Sequence, residues 1–427
     1  MEIEKNFESV VGYLESLSIM PKEMPGLEKL KAALAQVEWF AEIDPKKVLV
    51  VAGTNGKGST CAILESLLFA AGKKVGFYSS PHLIDTTERI RVQKKQISKT
   101  DFIELFFANQ DLIAHHQLTH FEALTLMAGS YFFCKKWNTQ LDYIIFEVGL
   151  GGLYDATNVF PHATSLITSL GLDHTNILGP DLVSVAKNKF GIVHENNLVV
   201  HHLLANELYP LKDEVQKKTS SKWIAAKKIT SFVQSGPQFW IDSPWGQAEI
   251  NLPGSRAAEN AATALTTFEA LGFSPAEYLL VLKNIEWPGR MQEVQWPGMK
   301  ARLYLSGDHN EQGIQSLIEL LRHYTYKNIH FVVGIGEDKD AFSMLSELIK
   351  VPNSILHLTE TPFKGLSISE YPQSFLEKAN SVEQDIFILL NQLQSEVSEQ
   401  DIVLVTGSLY LVGQVLTKLV SKISAQK

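Results

Sequence analysis

Residues 48–60 read VLVVAGTNGKGST, an apolar run that breaks into a loop of glycines, one lysine and two hydroxyls. Good helix formers follow at once. A strand, a glycine loop and a helix start together make a phosphate cradle: glycines let backbone N–H groups approach an anion, and the helix N-terminus adds partial positive charge. Lys57 would reach the β- and γ-phosphates, and the Ser59 or Thr60 hydroxyl would hold Mg²⁺. The ordinary pattern G-x-x-x-x-G-K-[ST] fails by one residue, because Gly58 separates lysine from hydroxyl. A tight strand–helix turn without a ligand is the alternative. The lysine inside the loop favours nucleotide binding, with Gly53, Thr54, Asn55, Gly56, Lys57, Gly58, Ser59 and Thr60 as the cradle.

Other chemically loaded residues also fall at the ends of apolar runs. Glu147 closes LDYIIFEVG, where a carboxylate can hold Mg²⁺ directly or through water, or simply be solvated. GLGG follows it, then YDATN. Asp173 and His174 lie just past SLITSLG. Imidazole is an unusual Mg²⁺ ligand, so His174 taken alone reads as a hydrogen-bonded turn or core histidine. Lys189, in SVAKNKFGI, reads alone as a solvated helix cation. His309 and Asn310 follow ARLYLSGD, Ser408 follows DIVLVTG, and Arg290 stands in WPGR, where it suits either a phosphate or a structural ion pair.

The elements that must position these groups alternate in kind. Residues 1–46 read as helices; from Lys47 the strands VLVVAG, VGFYSS, DYIIFEVG and SLITSLG alternate with helices, which predicts a mostly parallel sheet covered on both faces. Ligands collect at the carboxyl ends of such strands. A short strand over 247–252 and the helix AAENAATALTTFEALG complete a first domain, 1–290. WPGR opens a hinge over 287–296, and residues 297–427 repeat the alternation as a second domain. The 427 residues, 45% hydrophobic and 20% charged, describe a soluble globular protein. A net charge of −9 argues against a nucleic-acid surface. Cys61 and Cys134 read as small buried hydrophobes. The opening segment reads as an amphipathic helix rather than a signal peptide. No apolar run reaches the ~18 residues of a membrane span. A cytoplasmic protein without membrane or nucleic-acid partners is expected.

The ordered motifs VAGTNGKGST, YSSPHL, ERI, THFEALT, FEVGLGG with DATN, TSLGLDHT, NKFGI, ENAATAL, WPGR, GDHN, DKD and VTGSLYLVG span about residues 25–415. As a set this chain resembles the folylpolyglutamate synthase/dihydrofolate synthase family, within the Mur-type ATP-dependent amide ligases. The resemblance implies an α/β fold: a P-loop domain with a mostly parallel sheet, and a smaller Rossmann-like C-terminal domain that takes part in glutamate ligation. It implies ATP on the 53–60 loop, with Mg²⁺, at two sites if both family positions are filled, held by Ser59, Ser80, Glu147 and His174. Lys189 matches a lysine that the family carbamylates. Asn260 and Arg290 match contacts to the base and the phosphates. Thr119, Phe121 and Glu122, with Tyr154, Asp155 and Ala156, match a pterin-side pocket; His309 and Ser408 match residues near the incoming glutamate. The substrates implied are L-glutamate and dihydropteroate or a reduced folate, and the expected state is a monomer.

Several positions depart from the family pattern as this sequence shows it. Leu153 and Tyr154 replace the arginine and leucine of GGRLDATN, Asn188 stands where glutamate is common and Phe190 replaces a small residue. Gly254–Ser255–Arg256–Ala257 replaces G-x-H-Q. DGAHN becomes SGDHN, so Ser306 stands in the aspartate position and Asp308 lies two residues on, about 6.5 Å along a strand and on the same face. Asp308 is expected to assume the lost carboxylate's role. The alternatives are an amide ligase for another acid and amino acid, a catalytically weakened member, or a phosphate-loop switch, the last disfavoured by the absence of N-K-x-D.

Overall fold

The structure is a computed structural model that describes residues 3–18, 26–137, 140–233 and 238–425. Met1, Glu2 and Pro25, at the ends of two expected helical segments, lie outside these residues. The strands, in chain order, are β1 Val48–Ala52, β2 Val75–Tyr78, β3 Ile90–Val92, β4 Lys95–Gln96, β5 Tyr143–Glu147, β6 Thr164–Ile167, β7 Leu198–His201 and β8 Lys222–Ala225, then β9 Thr230–Val233, β10 Phe239–Ser243 and β11 Gly246–Ile250, and finally β12 Gln292–Val294, β13 Arg302–Leu305, β14 Ile329–Val333, β15 Ser354–Leu358, β16 Ser381–Val382 and β17 Ile402–Thr406.

The eight-stranded sheet runs β4-β3-β2-β5-β1-β6-β7-β8. Along this order the pairs from β2 to β8 are parallel, and at one edge β3 is antiparallel to both β2 and β4. Every residue of β1 is buried, as a central strand covered on both faces requires. The register sets Val51 beside Glu147 and Leu166, so β5 and β6 deliver their chain ends next to the glycine loop. The helix Lys57–Ala70 is buried along most of its length, and its low amphipathicity follows from that.

The six-stranded sheet runs β12-β13-β17-β14-β15-β16, parallel apart from the β12–β13 pair. Its helix Glu311–Leu321 turns Ile314, Leu317, Leu320 and Leu321 inward at helical spacing. The chain divides into two compact units, one holding residues 1–230, 242–248 and 258–285, the other 231–241, 249–257 and 286–427. The expected strand at 247–252 is β11, and it joins β9 and β10 in a separate three-stranded sheet rather than either large one. Cys61 is buried as expected; Cys134 is half-buried and ends the helix His120–Phe133 rather than sitting inside it. No described helix is long and apolar enough to cross a membrane.

Candidate active site

The glycine loop turns from β1 into the helix Lys57–Ala70 through Gly56, whose φ of 84° is left-handed. A side chain there is strained, and its Cβ would lie 2.0 Å from Asn260 Oδ1. The first intrahelical bond runs from Thr60 N to Gly56 O, so the amides of Gly56, Lys57, Gly58 and Ser59 precede the helical ladder. Lys57 Nζ folds back on Gly53 O at 3.1 Å and Thr54 O at 3.3 Å. Asn260 also meets Thr60, whose Oγ1 donates to Asn260 Oδ1 at 3.4 Å. Gly56→Ala is expected to cost about 2 kcal/mol of stability, seen as a lower urea midpoint with an unchanged slope.

The turn after β6 clamps this loop. Thr54 N donates to Ser169 O and Thr54 Oγ1 to Gly171 O, both at 2.8 Å. Thr168 Oγ1 and Ser169 Oγ both donate to Asn55 O, at 2.8 and 3.2 Å. In the sequence, Thr168, Ser169 and Gly171 carry only one signal for this role, the TSLG run at a strand's carboxyl end.

Lys189 is buried, which corrects its reading as a solvated cation. Nζ donates to Gly53 O at 2.8 Å. Burial, with the Lys57 charge nearby, brings its pKa down to about 7, against the opposing pull of Asp173 and Asp155. The helix Leu182–Phe190 gains this position because Gly152 has no side chain: a Cβ there would lie 2.8 Å from Asn188 O. Asn188 holds the same helix by donating to Leu178 O at 3.1 Å and Ser184 O at 3.3 Å.

Glu147 is buried, and its Oε2 accepts from Ser80 N at 3.2 Å. Ser80 Oγ is buried without a hydrogen-bond partner. An orphaned hydroxyl beside a carboxylate is a hard oxygen pair suited to a small divalent cation. Ser59, buried in the first turn of the loop helix, adds a further hydroxyl to the region. His174 sits at the start of the helix Thr175–Leu178 with φ 49°, its ring 3.9 Å from Asp173. Among the described residues no three His, Cys, Asp or Glu side chains group as metal ligands, so hydroxyls must contribute to any metal shell built here. Cys61 senses the neighbourhood: burial and then Glu147 raise its thiol pKa, while Lys57 lowers it.

The Thr119–Glu122 stretch forms a reciprocal helix cap: Thr119 N and Oγ1 donate to Glu122 Oε2 at 2.9 and 2.8 Å. Glu122 Oε1 is buried without a partner. Phe121 lies against Tyr78, centroids 5.9 Å apart, and against Gly149. Asp155 turns inward and accepts from Gly149 N, Leu150 N, Thr157 N and Thr157 Oγ1, fixing the glycine turn after β5. Burial nonetheless raises its pKa. Ala156 is buried behind it, whereas Leu153 and Tyr154 are exposed. Beside Tyr78, Arg89 Nε donates to His82 Nδ1 at 2.9 Å; burial, then Arg89, bring His82 down to about 3, so it is a neutral acceptor.

In the second unit, the loop after β13 carries Ser306 to Asn310. Ser306 Oγ donates to Asp308 Oδ2 at 2.7 Å, and Arg256 Nη1 meets Asp308 Oδ1 at 3.3 Å. His309 Nδ1 lies 2.9 Å from Gly307 O, which orients the ring. Gly407 N donates to Asp308 O at 3.0 Å, joining this loop to the end of β17, where Ser408 Oγ accepts from Tyr410 N. Gly307 N donates to Gly289 O at 2.8 Å, next to Arg290, which is half-buried and makes no ion pair among the described residues.

The first unit thus gathers Lys57, Ser80, Glu147 and Lys189 around one loop, and the second gathers Arg290, Asp308, His309 and Ser408 around the ends of β13 and β17. Comparison with known proteins agrees in kind. Residues 291–418 match the family model "Dihydrofolate synthetase, C-terminal domain". The chain is 33% identical to the dihydrofolate synthase/folylpolyglutamate synthase of Buchnera aphidicola subsp. Acyrthosiphon pisum, over 87% of this chain and 89% of that one. It is similar to a bifunctional folylpolyglutamate synthase/dihydrofolate synthase with Mn, AMPPNP and L-glutamate bound, at a TM-score of 0.81 and 29% identity over 98% of this chain and 99% of the other. It is equally similar in fold to Escherichia coli FolC in complex with DHPP and ADP, at a TM-score of 0.81 and 28% identity over 99% of each chain. The likeness covers nearly the whole length and both units, and the chain belongs to the dihydrofolate synthase/folylpolyglutamate synthase family.

Proposed function

We propose that this chain is an ATP-dependent ligase that joins L-glutamate to the carboxylate of a pteroate or folate. The observation that carries the reading is the loop at Gly53–Thr60 with Lys57, Ser80, Glu147 and buried Lys189 packed around it, in a chain of this family. A carboxylate is a poor acylating agent at neutral pH. Transfer of the γ-phosphoryl of ATP to its oxygen gives an acyl phosphate and ADP. The glutamate amine attacks the acyl carbon, a tetrahedral intermediate forms and loses its proton, and phosphate leaves as the amide closes. Lys57 and the first-turn amides hold the phosphoryl oxygens in line, where charge develops. By the family match Arg290 is assigned to the phosphates and Asn260, which lies against Gly56 and Thr60 of the loop, to the base. A bound Mg²⁺, for which Ser59, Ser80, Glu147 and His174 are the protein donors, supplies charge neutralisation at the phosphates.

Lys189 carries a further part of the reading. With a pKa of about 7, much of the amine is neutral near physiological pH and can attack carbon dioxide. The nitrogen loses a proton and a carbamate anion results, which relieves the cost of a buried cation beside Lys57. Thr119, Phe121, Glu122 and the 154–156 segment form the pterin side, where Asp155 serves by shaping the glycine turn. His309 and Ser408 serve the incoming glutamate.

The test is ADP release from ATP with glutamate, offering dihydropteroate and a reduced folate in turn and weighing the products. Glutamate-dependent ADP formation with a product one glutamyl residue heavier is the expected outcome. ATP turnover that ignores the acceptor, or none with either, overturns the reading; turnover with a different amino acid in place of glutamate points to another amide ligase.

A further inference from the structure

Two departures from the family pattern, far apart in sequence, meet in the second unit. Arg256, at the start of the helix Ser255–Ala270, reaches Asp308 Oδ1 at 3.3 Å with Nη1 and Gln312 O at 2.6 Å with Nη2. The other carboxylate oxygen of Asp308 accepts from Ser306 Oγ at 2.7 Å, and the Ser306 side chain is buried. The side chains of Arg256 and Asp308 are only 22% and 13% exposed, so solvent screens their pair incompletely. Asp308 O in turn accepts from Gly407 N and Thr406 Oγ1, and the next residues are His309 and Asn310, which caps the helix Glu311–Leu321 through Gly313 N at 2.8 Å. One guanidinium thus grips the loop after β13 at its carboxylate and at the first turn of the following helix.

We propose that Arg256, through its ion pair with Asp308, is a positioning residue that sets the 306–310 loop and neutralises it for the amino-acid substrate, an inference that rests on the glutamate-ligase reading. The attacking form of glutamate has a neutral amine and two carboxylates. An unpaired Asp308 next to His309 confronts that dianion with a third negative charge in a partly dehydrated site. The paired carboxylate does not. Arg256 therefore governs glutamate capture, whereas ATP, held by the phosphate loop of the first unit, is indifferent to it.

Steady-state kinetics of wild type, R256Q, R256K, D308N and R256Q/D308N, varying glutamate, ATP and acceptor separately, test this. R256Q is expected to raise the glutamate KM at least about tenfold while the ATP KM stays within about twofold. Adding D308N to R256Q is expected to bring the glutamate KM back down, because the repelling charge goes with it, and R256K, which keeps charge without the fork, is expected to fall between wild type and R256Q. Added salt narrows the R256Q gap. Thermal melts establish that each variant is folded, and should R256Q fail to fold, the comparison of R256K with wild type and D308N carries the same reading. A glutamate KM unmoved in R256Q, a double variant no better than R256Q, or equal losses for every substrate overturns the inference alone. A wild-type chain with no glutamate-dependent ADP release overturns the ligase reading, and the inference falls with it.

Discussion

Lys57→Met is expected to lower kcat at least about 1000-fold while the chain still folds. Lys57 is the first residue of the loop helix, and its ammonium rests on Gly53 O and Thr54 O. A triphosphate bound at the loop would offer that ammonium a stronger partner than the two carbonyls. Charge grows on the transferring phosphoryl oxygens during the reaction, so a cation aimed there stabilises the transition state more than the bound nucleotide. Methionine keeps the length and the apolar stem but carries no charge. The loss should therefore fall on kcat, with a smaller loss in ADP affinity by calorimetry and about 1 kcal/mol of stability from the missing loop bonds. Equal activity in the variant shows that the loop is a structural turn.

Lys189→Met is expected to cost about 100-fold or more in kcat and, against wild type kept free of carbon dioxide so that its amine is unmodified, to raise the melting temperature at neutral pH. Both effects come from one placement: the amine is buried, 2.8 Å from Gly53 O. Its pKa is about 7 in the folded chain against an ordinary value of 10.5. Between those values the unfolded chain binds the extra proton, so the stability of the wild type gains with rising pH, and below about 7 the full cost of burying the cation is felt. The melting advantage of the methionine variant should accordingly be largest below pH 7 and shrink as pH climbs towards 10.5. Wild-type activity should fall in buffer stripped of carbon dioxide and return with bicarbonate, most visibly at low pH where the protonated amine resists carbamylation. Mass spectrometry of gently handled protein should show the added carbon dioxide on the peptide containing Lys189. A wild type indifferent to bicarbonate at every pH removes the carbamate from the mechanism.

The alternation of strand and helix was legible because period-two and fully apolar runs end in glycine or polar turns, and β1, β2, β5, β6, β13, β14, β15 and β17 all lie in such runs. The three-stranded sheet was not: TSFV, FWIDS and GQAEI are short and half polar, and only the last showed as a strand. Among the candidate residues, the loop and Glu147 carried their own local signals. Lys189 did not, since nothing in SVAKNKFGI reveals that Gly152, thirty-seven positions earlier, opens the space that buries it. Arg256 showed only as a residue in the place of a histidine; that it finds Asp308 depends on tertiary placement. Residues at family motif positions also differ in duty. Asp155 stands at a pocket position, yet its side chain is engaged by neighbouring backbone, so its effect on a ligand passes through the shape of the turn it holds, whereas Glu122 gives one oxygen to the Thr119 cap and keeps the other without a partner.

The clamp from Thr168, Ser169 and Gly171 on the glycine loop has a thermodynamic consequence. Ordering a residue's backbone costs about 1–2 kcal/mol, and here Thr54 and Asn55 are tethered by the protein's own bonds during folding. An arriving nucleotide meets a receptor already frozen into shape, so its association should be quick and carry little entropic penalty. The same tether is reciprocal at Gly171, whose N–H donates back to Thr54 Oγ1, so the start of the segment leading to Asp173 and His174 is held by the bonds that fix the loop.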